Sequence, residues 1–276
     1  MPTTPINGVR LYWERTGETG DPLVLVHGSW VDHHTWDPIV PALARTFRVV
    51  TYDRRGHSQS ERPPGQGSIT EDVRDLAVLI EHLSLSPAHV LGNSLGGVIA
   101  LRLAAAQPHL IRSLLVHDPA LFRMFREQSP HELTDDGPRL HAVVDLLAHG
   151  QIEAGARQFV ETVIDAGTWE QRPEEVRQRW IFNAPTFLDE QRDPDAGRVD
   201  LQTLSRFTAP TLLTAGEKSP AIFRFRIEML RRVLPKAQAK IIAGAGHGPQ
   251  AAQPAAYGDT IVSFVRQFAS ERASSV

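Results

Sequence analysis

The chain contains no cysteine. Disulfides, thiolate nucleophiles and cysteine-ligated metal centres are therefore excluded together. It also lacks any block of like charge: 29 Lys and Arg face 32 Asp and Glu, for a net charge of −3. Neither nucleic acid nor an anionic membrane surface is an expected partner of such a chain. No apolar run approaches the roughly 18 residues that a membrane-spanning helix needs. The opening segment, Met1-Pro2-Thr3-Thr4-Pro5-Ile6-Asn7-Gly8, has neither the basic nor the apolar region of a signal peptide. From these absences the expectation is a soluble cytoplasmic protein. What is present is ordinary globular material: 276 residues, 41% apolar and 22% charged. That length suits one domain with a modest insertion, or two small domains.

Short apolar runs alternate with helical patterns. The runs are Leu23 to Val26, Phe47 to Tyr52, Ala88 to Leu91, Leu114 to His117, Thr211 to Ala215 and Lys240 to Ala243. Each ends at Gly, Asp or a similar breaker, as buried strands of a mostly parallel sheet do. Between them, Thr70 is the expected cap of a helix carrying Val73, Leu76, Ala77, Ile80 and Leu83 on one stripe. Leu95 to Ala106 reads as a helix packed beneath the sheet, and a last helix near Ala255 to Ala269 carries Ile261, Phe264, Val265 and Phe268. From about Phe122 to Phe207 the alternation stops, and the segment turns helical, charged and aromatic. The expected organisation is a core of residues 1–121 and 208–276, with residues 122–207 forming a helical cap over the carboxyl edge of the sheet. That edge is where open α/β sheets put their ligands.

The sharpest local signal is Gly92-Asn93-Ser94-Leu95-Gly96. It follows an apolar strand and opens a helix, the setting in which a G-x-S-x-G turn presents a serine. The turn forces Ser94 into a strained conformation, and the flanking glycines prevent clashes. The helix N-terminus then favours negative charge developing at the hydroxyl. A serine needs a base to become a nucleophile. Of twelve histidines, His247 is the choice, because Gly244-Ala245-Gly246-His247-Gly248-Pro249 follows the last strand directly. The rivals His27, His57 and His117 read as structural or buried groups. His33-His34 reads as an exposed loop pair without a spaced carboxylate, so no metal is expected.

Together, His27-Gly28, Asp53-Arg54-Arg55-Gly56-His57-Ser58, the Ser94 elbow with Gly97, and Gly244-Ala245-Gly246-His247 resemble the α/β-hydrolase superfamily over nearly the whole chain outside the cap. The resemblance implies an α/β fold with a mostly parallel eight-stranded sheet flanked by helices. It implies an oxyanion hole built from the N–H of Leu95 and of Ser29, with Trp30 as the adjacent alternative. Trp30 and, in the cap, Trp180 are candidate substrate contacts. It also exposes a departure: most relatives carry the acid in a G-x-x-D pattern after the strand Thr211 to Ala215, where this chain has Gly216-Glu217-Lys218-Ser219. Ser219 cannot supply a charge. Asp118, at the end of the strand following the nucleophile helix, is the favoured substitute, as in zearalenone-type lactone hydrolases. Glu217 and an unassisted Ser–His dyad stay open.

The implied activity is cofactor-free hydrolysis of a carboxylic ester or lactone of apolar or aromatic character, through an acyl-enzyme on Ser94. Dehalogenases and epoxide hydrolases of this fold use an Asp nucleophile, which Ser94 argues against. Two alternatives stay open, a carbon–carbon bond hydrolase of a diketone-type substrate and a receptor-like ligand-binding module. The expected partner is a small molecule, and a homodimer is compatible with the sequence.

Overall fold

The computed structural model describes residues 3–125, 137–163 and 167–273. Eight strands form one sheet: β1 (Thr3–Ile6), β2 (Val9–Thr16), β3 (Pro22–Val26), β4 (Arg48–Tyr52), β5 (Ala88–Asn93), β6 (Ile111–His117), β7 (Thr211–Gly216) and β8 (Ala237–Ile242). Their order is β1-β2-β4-β3-β5-β6-β7-β8. β1 and β2 pair antiparallel, as do β2 and β4, and every later pair is parallel. The apolar runs become strands because both faces of the sheet are covered, so every residue of β3, β5 and β7 is buried. On one face pack the helices Ile69–His82, Leu95–Ala106 and Ala221–Val233. On the other, Trp36, Ile39 and Leu43 meet Tyr257, Ile261 and Phe264 of the long helix Pro254–Ala273. No helix among the described residues is long and apolar enough to cross a membrane.

The structure corrects two local expectations and adds one element. The helix expected to be capped by Thr70 starts earlier. Ser68 is its cap, in a reciprocal capping box with Glu71, and Thr70 lies inside the first turn. Of the run Lys240 to Ala243, expected to be buried, Lys240 to Ile242 belong to the edge strand β8, where Lys240 and Ile241 are exposed and Ile242 is buried. The β1–β2 hairpin was not anticipated, because β2 (Val-Arg-Leu-Tyr-Trp-Glu-Arg-Thr) mixes polar and apolar positions.

Two features place the site. First, chain order reverses around β3: β4 lies on one side and β5 on the other. This is a topological switch point, and the crevice beyond the strand ends there is where doubly wound sheets bind ligands. Second, the register aligns the carboxyl ends. Val26 pairs with Gly92, Asn93 with His117, His117 with Thr214 and Gly216 with Ile242. The loops after five strands therefore converge on one edge.

Between β6 and β7 the chain forms the helices Gly137–Ala148, Ile152–Val163, Thr168–Gln171, Glu174–Asn183, Thr186–Arg192 and Leu201–Leu204. Residues 126–136 and 164–166 of the expected 122–207 insertion lie outside the described residues. The inserted helices have their own apolar cluster, which includes Phe159, Trp169, Trp180 and Phe187 together with Trp30 from the loop after β3.

Candidate active site

β5 ends at Asn93, and the next helix begins at Leu95. Ser94 between them has φ 56 and ψ −121, a conformation that costs a non-glycine residue about 1–3 kcal/mol. The turn leaves no room on either side. A Cβ at Gly92 would stand 2.3 Å from the Gly96 carbonyl oxygen, and one at Gly96 would stand 2.2 Å from that of Val26. The loop after β3 lies directly against this elbow, because a Cβ at Gly28 would meet Ser94 Cβ at 2.9 Å. Beside the elbow, the N–H groups of Ser29 and Leu95 donate to no other group among the described residues. Polar hydrogens left unpaired in a folded chain need a reason.

His247 lies on the loop after β8. Its carbonyl accepts from Asn93 Nδ2 at 3.1 Å, which ties it to the residue preceding Ser94. Its ring lies 5.0 Å from that of Phe223. His247 Nδ1 sits 3.2 Å from Asp118 Oδ2. Beside that carboxylate oxygen, which accepts, Nδ1 is the nitrogen that donates, and Nε2 is the nitrogen not engaged by Asp118. Ser94 Oγ and His247 make no direct hydrogen bond, and bonds of this kind often tighten only in the reacting complex.

Asp118 is fully buried, with φ 41. Its Oδ2 accepts from Ser219 Oγ at 2.5 Å and faces His117 Nε2 at 3.3 Å. Burial alone would raise its pKa, but the imidazoles of His117 and His247 outweigh burial and hold the carboxyl far below the usual carboxylate range. Glu217, the rival, is engaged elsewhere: its Oε2 accepts from the Gly244 N–H at 2.7 Å. The structure thus brings Asp118 and His247 together and turns Glu217 toward the backbone of the following loop. Ser219 supports the carboxylate that faces His247. Neither that contact nor the one from His117 was anticipated. For Ser219 the signal was the vacant acid position itself.

The other histidines have structural partners. His27 Nε2 accepts the Arg54 N–H at 2.9 Å, and His57 Nδ1 bonds the Arg55 carbonyl at 3.0 Å. Burial lowers the pKa of both rings. The expectation for His33 fails. It is buried, its Nδ1 lies 2.7 Å from Asp53 Oδ1, and with Asp32 and His34 it forms a group whose ligand atoms lie within 4.8 Å of one another. These donors are already committed, since Asp32 accepts from the His34 N–H and from Ser58 Oγ. They close a turn, and they were misread because Asp53 is 20 residues away from His33.

Trp30 and Trp180 both lie in the apolar cluster of the inserted helices. Trp30 has φ 70 and stacks on Phe159 at 4.4 Å, and Trp180 packs on Trp169 at 6.1 Å. A cleft lined by Arg54, Arg62, Ile69, Thr186 and Glu190 reaches the elbow at Leu95, and neither tryptophan lines it. Arg54 belongs to the Asp53-Arg54-Arg55-Gly56-His57-Ser58 segment that the sequence singles out, whereas Glu190 carried no signal there.

Comparison with known proteins agrees with this architecture. A stretch of the acetyltransferase component of the acetoin cleaving system of Pseudomonas putida (a dihydrolipoyllysine-residue acetyltransferase) is 38% identical over 110 residues, 40% of this chain and 30% of that protein. The match therefore spans less than a third of that relative. The pimeloyl-[acyl-carrier protein] methyl ester esterase of Aeromonas hydrophila subsp. hydrophila is 27% identical over 91% of this chain and 98% of its own length. Among solved structures, Est816, an N-acyl homoserine lactone degrading enzyme, superposes with a TM-score of 0.76 at 26% identity, covering 95% of this chain and all of that one. The family model for the alpha/beta hydrolase fold matches residues 21–253. With sheet order, elbow and family match in agreement, the chain belongs to the alpha/beta hydrolase fold family.

Proposed function

We propose that the protein is a serine hydrolase of carboxylic esters or lactones that works without a cofactor. The observation that carries this reading is the Asp118–His247 pair, set on the loops that flank Ser94. Ser94 Oγ attacks the substrate carbonyl as His247 Nε2 takes its proton. Asp118 keeps the His247 proton on Nδ1 and stabilises the imidazolium that forms. The N–H groups of Ser29 and Leu95 receive the oxyanion. His247 then returns the proton to the leaving group, and water activated by the same nitrogen releases the acid from Ser94. The inserted helices act as a cap over the strand ends and contribute Thr186 and Glu190 to the cleft beside Leu95. The esterase and the lactone-degrading enzyme among the relatives support ester or lactone chemistry. The acid position after β6 weighs against a carbon–carbon bond hydrolase.

The test is fluorophosphonate labelling with peptide mapping, run beside a screen of aryl esters and lactones. The expected result is one adduct, on Ser94, with multiple-turnover hydrolysis that Ser94→Ala abolishes. Absence of an adduct at Ser94 overturns the reading. Stoichiometric capture without turnover converts it to a binding module.

A further inference from the structure

The loop after β3 is gripped by charged groups that the mechanism above does not use. The Gly28 carbonyl accepts from His27 Nδ1 at 2.8 Å and from Arg54 Nη1 at 3.3 Å. His27 Nε2 is an acceptor for the Arg54 N–H, so the ring proton is on Nδ1. Burial, assisted by the Arg54 charge, lowers the His27 pKa to about 3 and keeps the ring neutral. The one cis peptide among the described residues is Ser86-Pro87, so the bond joining Gly28 to Ser29 is trans. In a trans peptide the C=O and N–H point in opposite directions. Holding the Gly28 oxygen on the side of His27 and Arg54 therefore aims the Ser29 N–H the other way. The same Gly28 is in close contact with the Ser94 elbow.

Arg54 is only 2% exposed and is itself held. Its Nε and Nη2 donate to Asp72 at 3.1 and 2.9 Å, and Nη1 and Nη2 both lie 3.2 Å from Glu190 Oε1. Asp72 belongs to the helix Ile69–His82 of the core, and Glu190 to Thr186–Arg192 of the insertion. The other oxygen of Glu190, Oε2, accepts from Ser29 Oγ at 2.6 Å. One carboxylate from the insertion thus grips both ends of the Gly28–Ser29 peptide, Ser29 directly and Gly28 through Arg54. Asn183 of the insertion adds a bond from Nδ2 to the Trp30 carbonyl at 3.1 Å. Burial and the Asp72 charge raise the Glu190 pKa despite Arg54, so an acid is kept here at a desolvation cost.

We propose that Glu190 is a positioning residue that makes the aim of the Ser29 N–H depend on the docking of the inserted helices. The proposal rests on reading Ser29 N–H as an oxyanion donor. With the helix Thr186–Arg192 seated, the peptide is locked for catalysis. With it displaced, Ser29 loses its anchor and Arg54 loses one of its two carboxylates.

The test measures kcat and KM of Glu190→Ala and Glu190→Gln on an ester hydrolysed by the wild type, with active sites counted by end-point fluorophosphonate titration. Removing an oxyanion donor outright costs about 100- to 1,000-fold, so misaiming one is expected to lower kcat per titrated site by roughly 10- to 100-fold in Glu190→Ala. KM is expected to stay within about threefold. Glu190→Gln keeps one oxygen to accept from Arg54 and turns its amide N–H toward Ser29 Oγ, which then accepts instead of donating, and is expected to recover to within about fivefold of wild type. A Glu190→Ala protein with wild-type kcat per titrated site, its loss confined to melting temperature or KM, overturns the proposal. If that variant does not fold, Ser29→Ala deletes the direct hydroxyl contact alone: a loss of about tenfold in kcat is expected, and no loss overturns the proposal. A wild type that neither labels at Ser94 nor turns over any ester overturns the underlying reading, and this one with it.

Discussion

Replacing Asp118 with Asn tests what the buried carboxylate contributes. Asp118 Oδ2 faces three donors, from Ser219, His247 and His117, whereas Oδ1 has no partner. An Asn side chain can therefore turn its oxygen toward the donors and put its amide where Oδ1 was. The proton on His247 Nδ1 then keeps an acceptor, and the ring keeps its tautomer. What disappears is the charge opposite the imidazolium. Two unit charges about 4 Å apart attract by about 4 kcal/mol at an effective dielectric of 20. At 1.36 kcal/mol per tenfold change, that is about three decades in rate. We expect Asp118→Asn to lower kcat roughly 1,000-fold with little change in KM. The assay is steady-state hydrolysis of an aryl ester with fluorophosphonate titration of sites, and a circular dichroism melt confirms the fold. The reasoning is refuted if Asp118→Asn keeps kcat within about tenfold of wild type while Glu217→Gln takes the thousandfold loss.

Three further outcomes follow from the same geometry. Ser219→Ala removes a hydrogen bond to a charged group worth about 1.5–3 kcal/mol; kcat should fall roughly tenfold and the melting temperature should drop, and unchanged kinetics would show that Asp118 needs no such support. Gly28→Ala puts a methyl group 2.9 Å from Ser94 Cβ, so kcat/KM should fall by about two decades while the protein stays folded, as expected when a small displacement misplaces a reacting group. The third concerns pH. The Glu190 pKa is raised to about 7 in the folded protein by burial, so the folded state holds this proton more tightly than the unfolded chain. The stability it supplies is complete below the unfolded carboxylate range and is lost as pH rises through about 7. The melting temperature of Glu190→Gln relative to wild type should therefore climb by a few degrees between about pH 5 and pH 8. A difference that stays flat across that range contradicts the assignment.

Local features were legible in the sequence, and distant ones were not. The Ser94 elbow and the His247 loop each sit within six residues or so of chain, and their glycines answer to contacts that any such turn makes. The strands β3, β5 and β7 announced themselves because full burial writes a continuous apolar run. β8 misled for the same reason: Ile241 and Ile242 look like core, yet the strand lies at the sheet edge, where Ile241 stays 42% exposed. The support for Asp118 joins residues 101 apart, and the Ser29–Glu190 bond joins residues 161 apart. No periodicity or motif encodes such pairs. Ser219 drew notice only for lacking a charge, and the sequence could not show that its hydroxyl would donate to Asp118.

Ser219 Oγ lies 2.5 Å from Asp118 Oδ2, so the tip of the side chain after β7 and the carboxylate after β6 occupy nearly the same place. The ends of the adjacent strands β6 and β7 thus converge on one spot beside His247, so a carboxylate on either could face that ring. Alignment column and chemical role then come apart, and a search for the missing acid by column alone would score this chain as defective.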